Sequence, residues 1–148
     1  MIETIGEAVR LVCKKLYNKE HVKNVEYLNQ RRHGFVQTNK KNYWILFKKS
    51  FFMKFGVIFN LNGAGESINK SELDKAIEMR VNHLLFVYPD ERVYEIDPRK
   101  FKNWAEGNKT IRRTQKTNEK TYSVPIRELN KWTLEPPIKK LDGLNKYA

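Results

Sequence analysis

Apolar residues recur every three or four positions from Ile2 to Tyr17, where Ile2, Ile5, Val9, Val12, Cys13 and Leu16 make one stripe with charges between them. That spacing predicts an amphipathic helix. Residues 18 to 33 are polar, with isolated Val25, Tyr27 and Leu28, and read as a weak strand or loop ending in Gln30, Arg31, Arg32 and His33. Gly34 to Thr38, Tyr43 to Lys48 and Phe52 to Leu61 are rich in aromatic and branched residues and predict consecutive antiparallel strands. The run Phe55 to Phe59 is apolar at every position except Gly56, as a central strand covered on both faces would be. Asn62, Gly63, Ala64 and Gly65 read as a turn.

A second helix is predicted after Asn69, an N-cap with Glu72 three residues on as a capping box, and with Ile68 and Leu73 as its hydrophobic staple. Leu73, Ala76, Ile77 and Val81 form its inner stripe. Leu84 to Tyr88 and Arg92 to Ile96 predict a hairpin around Pro89, Asp90 and Glu91. Asp97 then caps a third helix with Pro98 at its first position, Phe101, Trp104 and Ala105 inward, and Gly107 at its end. Ile111 to Gln115 and Lys120 to Val124 bracket a basic hairpin, and Pro125 opens a short helix with Ile126, Leu129 and Trp132. The expected fold is α/β, in the α+β sense: a mixed, largely antiparallel central sheet flanked by helices. The order is α-β-β-β-α-β-β-α followed by the basic hairpin. Residues 1–132 form a single domain, and 133–148, with Pro136 and Pro137, a tail.

Charge sharpens this picture. The chain carries +12 overall, in a segregated pattern: +7 over residues 21 to 56, −4 over 57 to 97, and +7 over 98 to 132. Two basic blocks interrupted by an acidic one point to a folded protein with a positive face, whose natural partner is the polyphosphate of DNA or RNA. The phosphate contacts expected are Arg31, Arg32, Lys40, Lys41, Lys48 and Lys49 from the first block and Arg112, Arg113, Lys116 and Lys120 from the second. Trp44 and the phenylalanines among them read as core. Tyr43 and Tyr122 are the candidates for stacking on bases, because a phenol keeps one end wet.

With 40% apolar and 12% aromatic residues the chain has material for a core, which excludes intrinsic disorder. The single Cys13 cannot form an internal disulfide and reads as a buried structural thiol, suiting a reducing cytoplasm. No stretch approaches the roughly 18 apolar residues that span a bilayer, and acids stand near the N-terminus where a signal peptide would be basic. No membrane partner is expected. His21, His33 and His83 lie far apart with no Cys or His at ligand spacing, so no zinc site is expected, and His83 reads as a satisfied structural histidine. Gly63-Ala64-Gly65-Glu66-Ser67 lacks the lysine of a phosphate-binding loop.

The order helix, three strands, helix, strand over residues 2 to 88 resembles the core of the PD-(D/E)XK nuclease-like superfamily. That resemblance implies an acid on the second strand and a Glu/Asp-x-Lys on the third, holding a divalent metal. The matching strands here, Tyr43 to Lys48 and Phe55 to Leu61, carry no acid, and Asn60-Leu61-Asn62 stands near the place of the signature. Pro89-Asp90 followed by Glu95-Ile96-Asp97 lacks the lysine. The resemblance therefore implies a non-catalytic nucleic-acid-binding member with no cofactor. One alternative is a metal-dependent nuclease using Mg or Mn at Glu66, Asp90 or Glu7. Another is an interaction module of an assembly. A homodimer is compatible with all three.

Overall fold

The computed structural model describes residues 2–16, 19–48, 65–109, 111–113 and 119–132. The predicted strand Phe52 to Leu61, Lys49, Lys116 and the 133–148 tail lie outside the described residues.

Helix α1 (Ile5–Leu16) begins after Thr4, whose hydroxyl accepts a hydrogen bond from the Glu7 amide at 3.1 Å and so satisfies one orphan N–H of the first turn. Ala8, Val9, Val12 and Leu16 are its buried face, and Cys13 is half-buried, its thiol pKa pushed up by burial. Strands β1 (Val22–Leu28), β2 (His33–Thr38), β3 (Asn42–Phe47), β5 (His83–Val87) and β6 (Val93–Ile96) form a five-stranded sheet in the order β1-β2-β3-β5-β6. Only the β3/β5 pair is parallel; the others are antiparallel. A three-stranded sheet, β4 (Gly65–Asn69), β8 (Lys120–Pro125) and β7 (Ile111–Arg113), lies beside it, with α2 (Lys70–Glu78), α3 (Pro98–Gly107) and α4 (Ile126–Trp132). The mixed α/β architecture and the element order agree with the sequence pattern. Among the described residues no helix is long and apolar enough to cross a membrane.

Alternation along the strands splits the core in two. On one face of the large sheet, Val36, Tyr43, Ile45, Leu85, Val87 and Val93 pack under α1. On the other, Phe35, Trp44, Leu46, Leu84, Phe86, Tyr88, Tyr94 and Ile96 join Leu73 and Ala76 of α2, Phe101 and Ala105 of α3, Tyr122 and Val124 of β8, and Leu129 of α4. Strand β5, buried on both sides, is accordingly apolar without interruption from Leu84 to Val87.

Of the strand or loop expected before His33, the structure has the strand, β1, whose five central residues are exposed because it is an edge with solvent on both faces. Two expectations are corrected. Gly65, expected in a turn, opens β4 and pairs with Pro125, while the rest of that expected turn, 62–64, lies outside the described residues. Asn69 does precede α2, but its side chain makes no cap hydrogen bond there: its amide oxygen accepts from Thr121 at 3.3 Å, and the Glu72 carboxylate is engaged elsewhere. The other caps follow expectation, since the Asp97 side chain accepts from the Arg99 amide at 2.8 Å ahead of Pro98.

At Gly34, α1 lies close over the sheet. A Cβ at Gly34 would stand 2.5 Å from Val9 Cγ2, and the valine cannot easily turn away, being both buried and stiff at χ1. Gly34→Ala is therefore expected to destabilise by about 1 to 3 kcal/mol. Equilibrium unfolding checks this, and adding Val9→Ala should recover part of the loss by making room; full additivity of the two changes would contradict the clash.

Candidate nucleic-acid interface

The turn joining β1 to β2 holds three consecutive non-glycine residues in the left-handed region, Asn29, Gln30 and Arg31, at φ 52°, 56° and 66°. Such a run is costly for L-residues and persists only where neighbours hold it. The Arg32 amide closes the turn onto the carbonyls of Leu28 and Asn29, both at 3.1 Å. The Asn29 side-chain amide donates to Glu72 at 2.6 Å, and His33 Nε2 lies 3.7 Å from the same carboxylate. Arg31 and Arg32 remain exposed, Arg31 with its guanidinium 5.3 Å from the centre of the Tyr27 ring.

Glu72 sits in the first turn of α2, and the residue before it reaches the second basic block: the Ser71 hydroxyl donates to the Glu119 carboxylate. Glu119 leads into β8, where Lys120 is exposed and pairs through the backbone with Arg113, as Thr121 does with Arg112. The start of α2 thus ties the Asn29–Arg32 turn to the β7/β8 hairpin. Arg31 and Arg32 come to the same end of the molecule as Lys120 and the backbone of Arg112 and Arg113. Arg31, Arg32 and Lys120 form no ion pair among the described residues.

Other predicted contacts go elsewhere. Lys40 and Lys41 are exposed in the β2/β3 turn, at the opposite end of β2; a six-residue strand spans about 20 Å. The first basic block is therefore divided between two ends. Lys48 turns inward, on the core side with Trp44 and Leu46: its Nζ donates to the Ser67 carbonyl at 3.0 Å, lies 3.7 Å from Glu66 and sits over the Phe86 ring. Tyr43 and Tyr122 are 2% and 3% exposed, so neither offers a ring face to a base. The Tyr43 hydroxyl instead donates to Glu20 at 2.6 Å.

Behind the Asn29–Arg32 turn, at the carboxyl ends of β3 and β5, is a polar cluster. Glu66 on β4 is 1% exposed and accepts from the Tyr88 hydroxyl at 2.5 Å. Burial pushes its pKa up to about 7, although the charge of Lys48 and the Tyr88 hydrogen bond pull the other way. His33 is pushed down to about 4 by burial, with the charges of Lys48 and Arg32 adding to it. Buried His33 Nδ1 and Trp44 Nε1 have no hydrogen-bond partner among the described residues. His83 is not the satisfied histidine expected, for its buried Nδ1 lies 3.9 Å from Glu95, too far for a hydrogen bond.

The three acids proposed as metal ligands do not converge. Glu66 joins β4 to the large sheet, and Glu7 stands at the start of α1 on the opposite face. Asp90 is bound into its own turn, accepting from the Arg92 amide at 3.1 Å with the Arg92 guanidinium 3.4 Å away. Among the described residues no three His, Cys, Asp or Glu side chains are close enough together to hold a metal ion, so this arrangement does not fit Mg or Mn. Sequence reasoning missed Asn29, Glu72 and Tyr88 as parts of this region. The one available signal was the parity of Lys48 with Trp44 and Leu46, which puts all three on one face of β3. No protein-family model, no curated protein and no solved structure matches this chain.

Proposed function

We propose that the protein binds DNA or RNA without cleaving it, through the phosphates, at the end formed by the Asn29–Arg32 turn and the β7/β8 hairpin. The observation that carries this reading is the link through Ser71 and Glu72, which brings Arg31 and Arg32 of one basic block to the same end as Lys120 of the other. A turn already held in a left-handed conformation loses little further entropy in presenting Arg31 and Arg32, and a guanidinium fork matches a phosphate bidentately. Lys120, exposed at the start of β8, extends the contact onto the hairpin whose other strand carries Arg112 and Arg113. The half-buried lone Cys13 suits work in a reducing cytoplasm.

Six phosphate contacts on duplex DNA correspond to a slope of about −5 in log affinity against log salt, or roughly a thousandfold loss between about 50 and 200 mM. Fluorescence anisotropy with single- and double-stranded DNA and RNA across that series, with and without magnesium or manganese, measures it. Steep binding of intact strands is the expected result. Metal-dependent shortening of the strands would favour the nuclease reading instead. No binding at about 50 mM salt would leave the basic residues to an acidic protein partner.

A further inference from the structure

The opposite end of the large sheet collects a second set of cations from four separate stretches of chain. Lys19 follows α1, Lys23 stands near the start of β1, Lys40 and Lys41 occupy the β2/β3 turn, and Arg80 follows α2; all five are exposed and none forms an ion pair among the described residues. Hydrogen bonds tie several of these stretches together. The His21 amide donates to the Asn39 side chain at 2.8 Å and the Asn39 amide to the His21 carbonyl at 2.9 Å, which joins the Lys19 and Lys40 segments. Asn42 and Asn82 exchange two bonds of 2.8 Å, and the Asn42 side chain reaches the Arg80 carbonyl at 3.4 Å. Thr38 Oγ1 accepts from the amides of Lys40 and Lys41, at 3.1 and 3.0 Å, so the turn carrying both lysines is held rigidly.

Of the acids at this end, Glu20 and Glu95 have partners, and Glu78 is exposed. Glu20, in the midst of these cations, accepts from Thr38 and from Tyr43, both at 2.6 Å, and its charge also acts on Lys40 and Lys41. Glu95 faces His83. The surface left to solvent is cationic, preorganised by two turns, and separated from the Arg31–Arg32 turn by the length of β2, about 20 Å. One phosphate chain laid across either end does not reach the other without following the whole sheet.

We infer that this end is a second polyphosphate-binding surface, so that one protomer holds two nucleic-acid segments at once. The inference rests on the nucleic-acid-binding reading above and adds a second site to it.

Two short DNA duplexes of about one helical turn, one bearing a donor fluorophore and one an acceptor, test it with the intact protein. The expected result is two duplexes per protomer at saturation and energy transfer between them. Arg31→Ala/Arg32→Ala and Lys40→Ala/Lys41→Ala should each keep one duplex per protomer and lose the transfer. These side chains are exposed, so both variants should melt like the parent. Saturation at one duplex per protomer would overturn the inference and leave the primary reading intact. So would a parent-like signal from Lys40→Ala/Lys41→Ala. Transfer lost together with all binding in Arg31→Ala/Arg32→Ala would trace the bridging to paired single-site protomers, and overturn it too. A parent that binds no duplex at about 50 mM salt would sink the inference and the primary reading together.

Discussion

Glu66→Gln and His33→Gln are expected to bend the pH dependence of stability in opposite directions. Glu66 is held near pKa 7 against an ordinary 4.5, so the folded state binds its proton more tightly than the unfolded chain. The stability this group contributes is fully present below pH 4.5 and is lost as pH rises through 7. His33 is held near 4 against 6.5, so its contribution is present above pH 6.5 and is lost as pH falls through 4. Each span is about 2.5 pH units, which at about 1.4 kcal/mol per unit is on the order of 3 kcal/mol. In the parent the two slopes oppose each other across nearly the same window. The amide introduced by Glu66→Gln copies the protonated carboxyl and removes one slope, so this variant should lose stability steeply on acidification. His33→Gln should gain stability as the pH falls from 7 to 4.5. Urea unfolding of the three proteins at several pH values measures this, and comparison with the parent cancels the other titrating groups. Two variants with the parent's own profile would contradict the burial of both groups.

The largest effect on binding is expected from Arg31→Ala/Arg32→Ala. A charge-assisted hydrogen bond is worth about 1.5 kcal/mol at the low end, so losing two weakens binding at the primary end on the order of 100-fold. The salt slope should flatten by about 1.8 as two fewer counterions are released. Glu72→Ala separates charge from presentation. It removes the acceptor that holds Asn29 at 2.6 Å and faces His33, but leaves both arginines in place. Affinity should then fall severalfold with the slope unchanged, because a loosened turn is costlier to order while the number of phosphates neutralised stays the same. Anisotropy titrations at two or more salt concentrations distinguish the two outcomes. An Arg31→Ala/Arg32→Ala protein that keeps the parent's affinity and slope removes the turn from the interface.

Most of the fold was legible where burial is one-sided. The stripe of α1, the inner residues of α2, and the Asp97-Pro98 start of α3 are local signals that tertiary structure had no reason to override. What was faint or missed shares a physical cause. Strand β1 lacks alternation because both its faces are wet, and an edge without a buried side has nothing to write into the sequence. Strand β4 was hidden by its opening glycine and by Glu66, a carboxylate that reads as surface until Lys48 and Tyr88 are seen around it. Glu72 suits a capping box by spacing, yet the turn 43 residues away in sequence competes for its oxygens and wins.

The candidate site was half legible for the same reason. Charge counting finds which stretches are basic but not which end of a sheet each cation reaches. Successive turns of an antiparallel meander lie at opposite ends, so Arg31 and Arg32 part from Lys40 and Lys41 although all four belong to one block. Lys48 was misplaced because its neighbourhood is basic, whereas its parity with Trp44 and Leu46 sends it inward.

The most direct test of the central claim is a backbone-amide chemical-shift titration of the labelled protein with a short DNA duplex, up to one equivalent. The account expects the first and largest shifts at Asn29 to His33, at Arg112 and Arg113, and at Lys120, with the amides of α1 unmoved. Shifts that spare the Asn29–His33 turn and the β7/β8 hairpin, or no shifts at all, would contradict it.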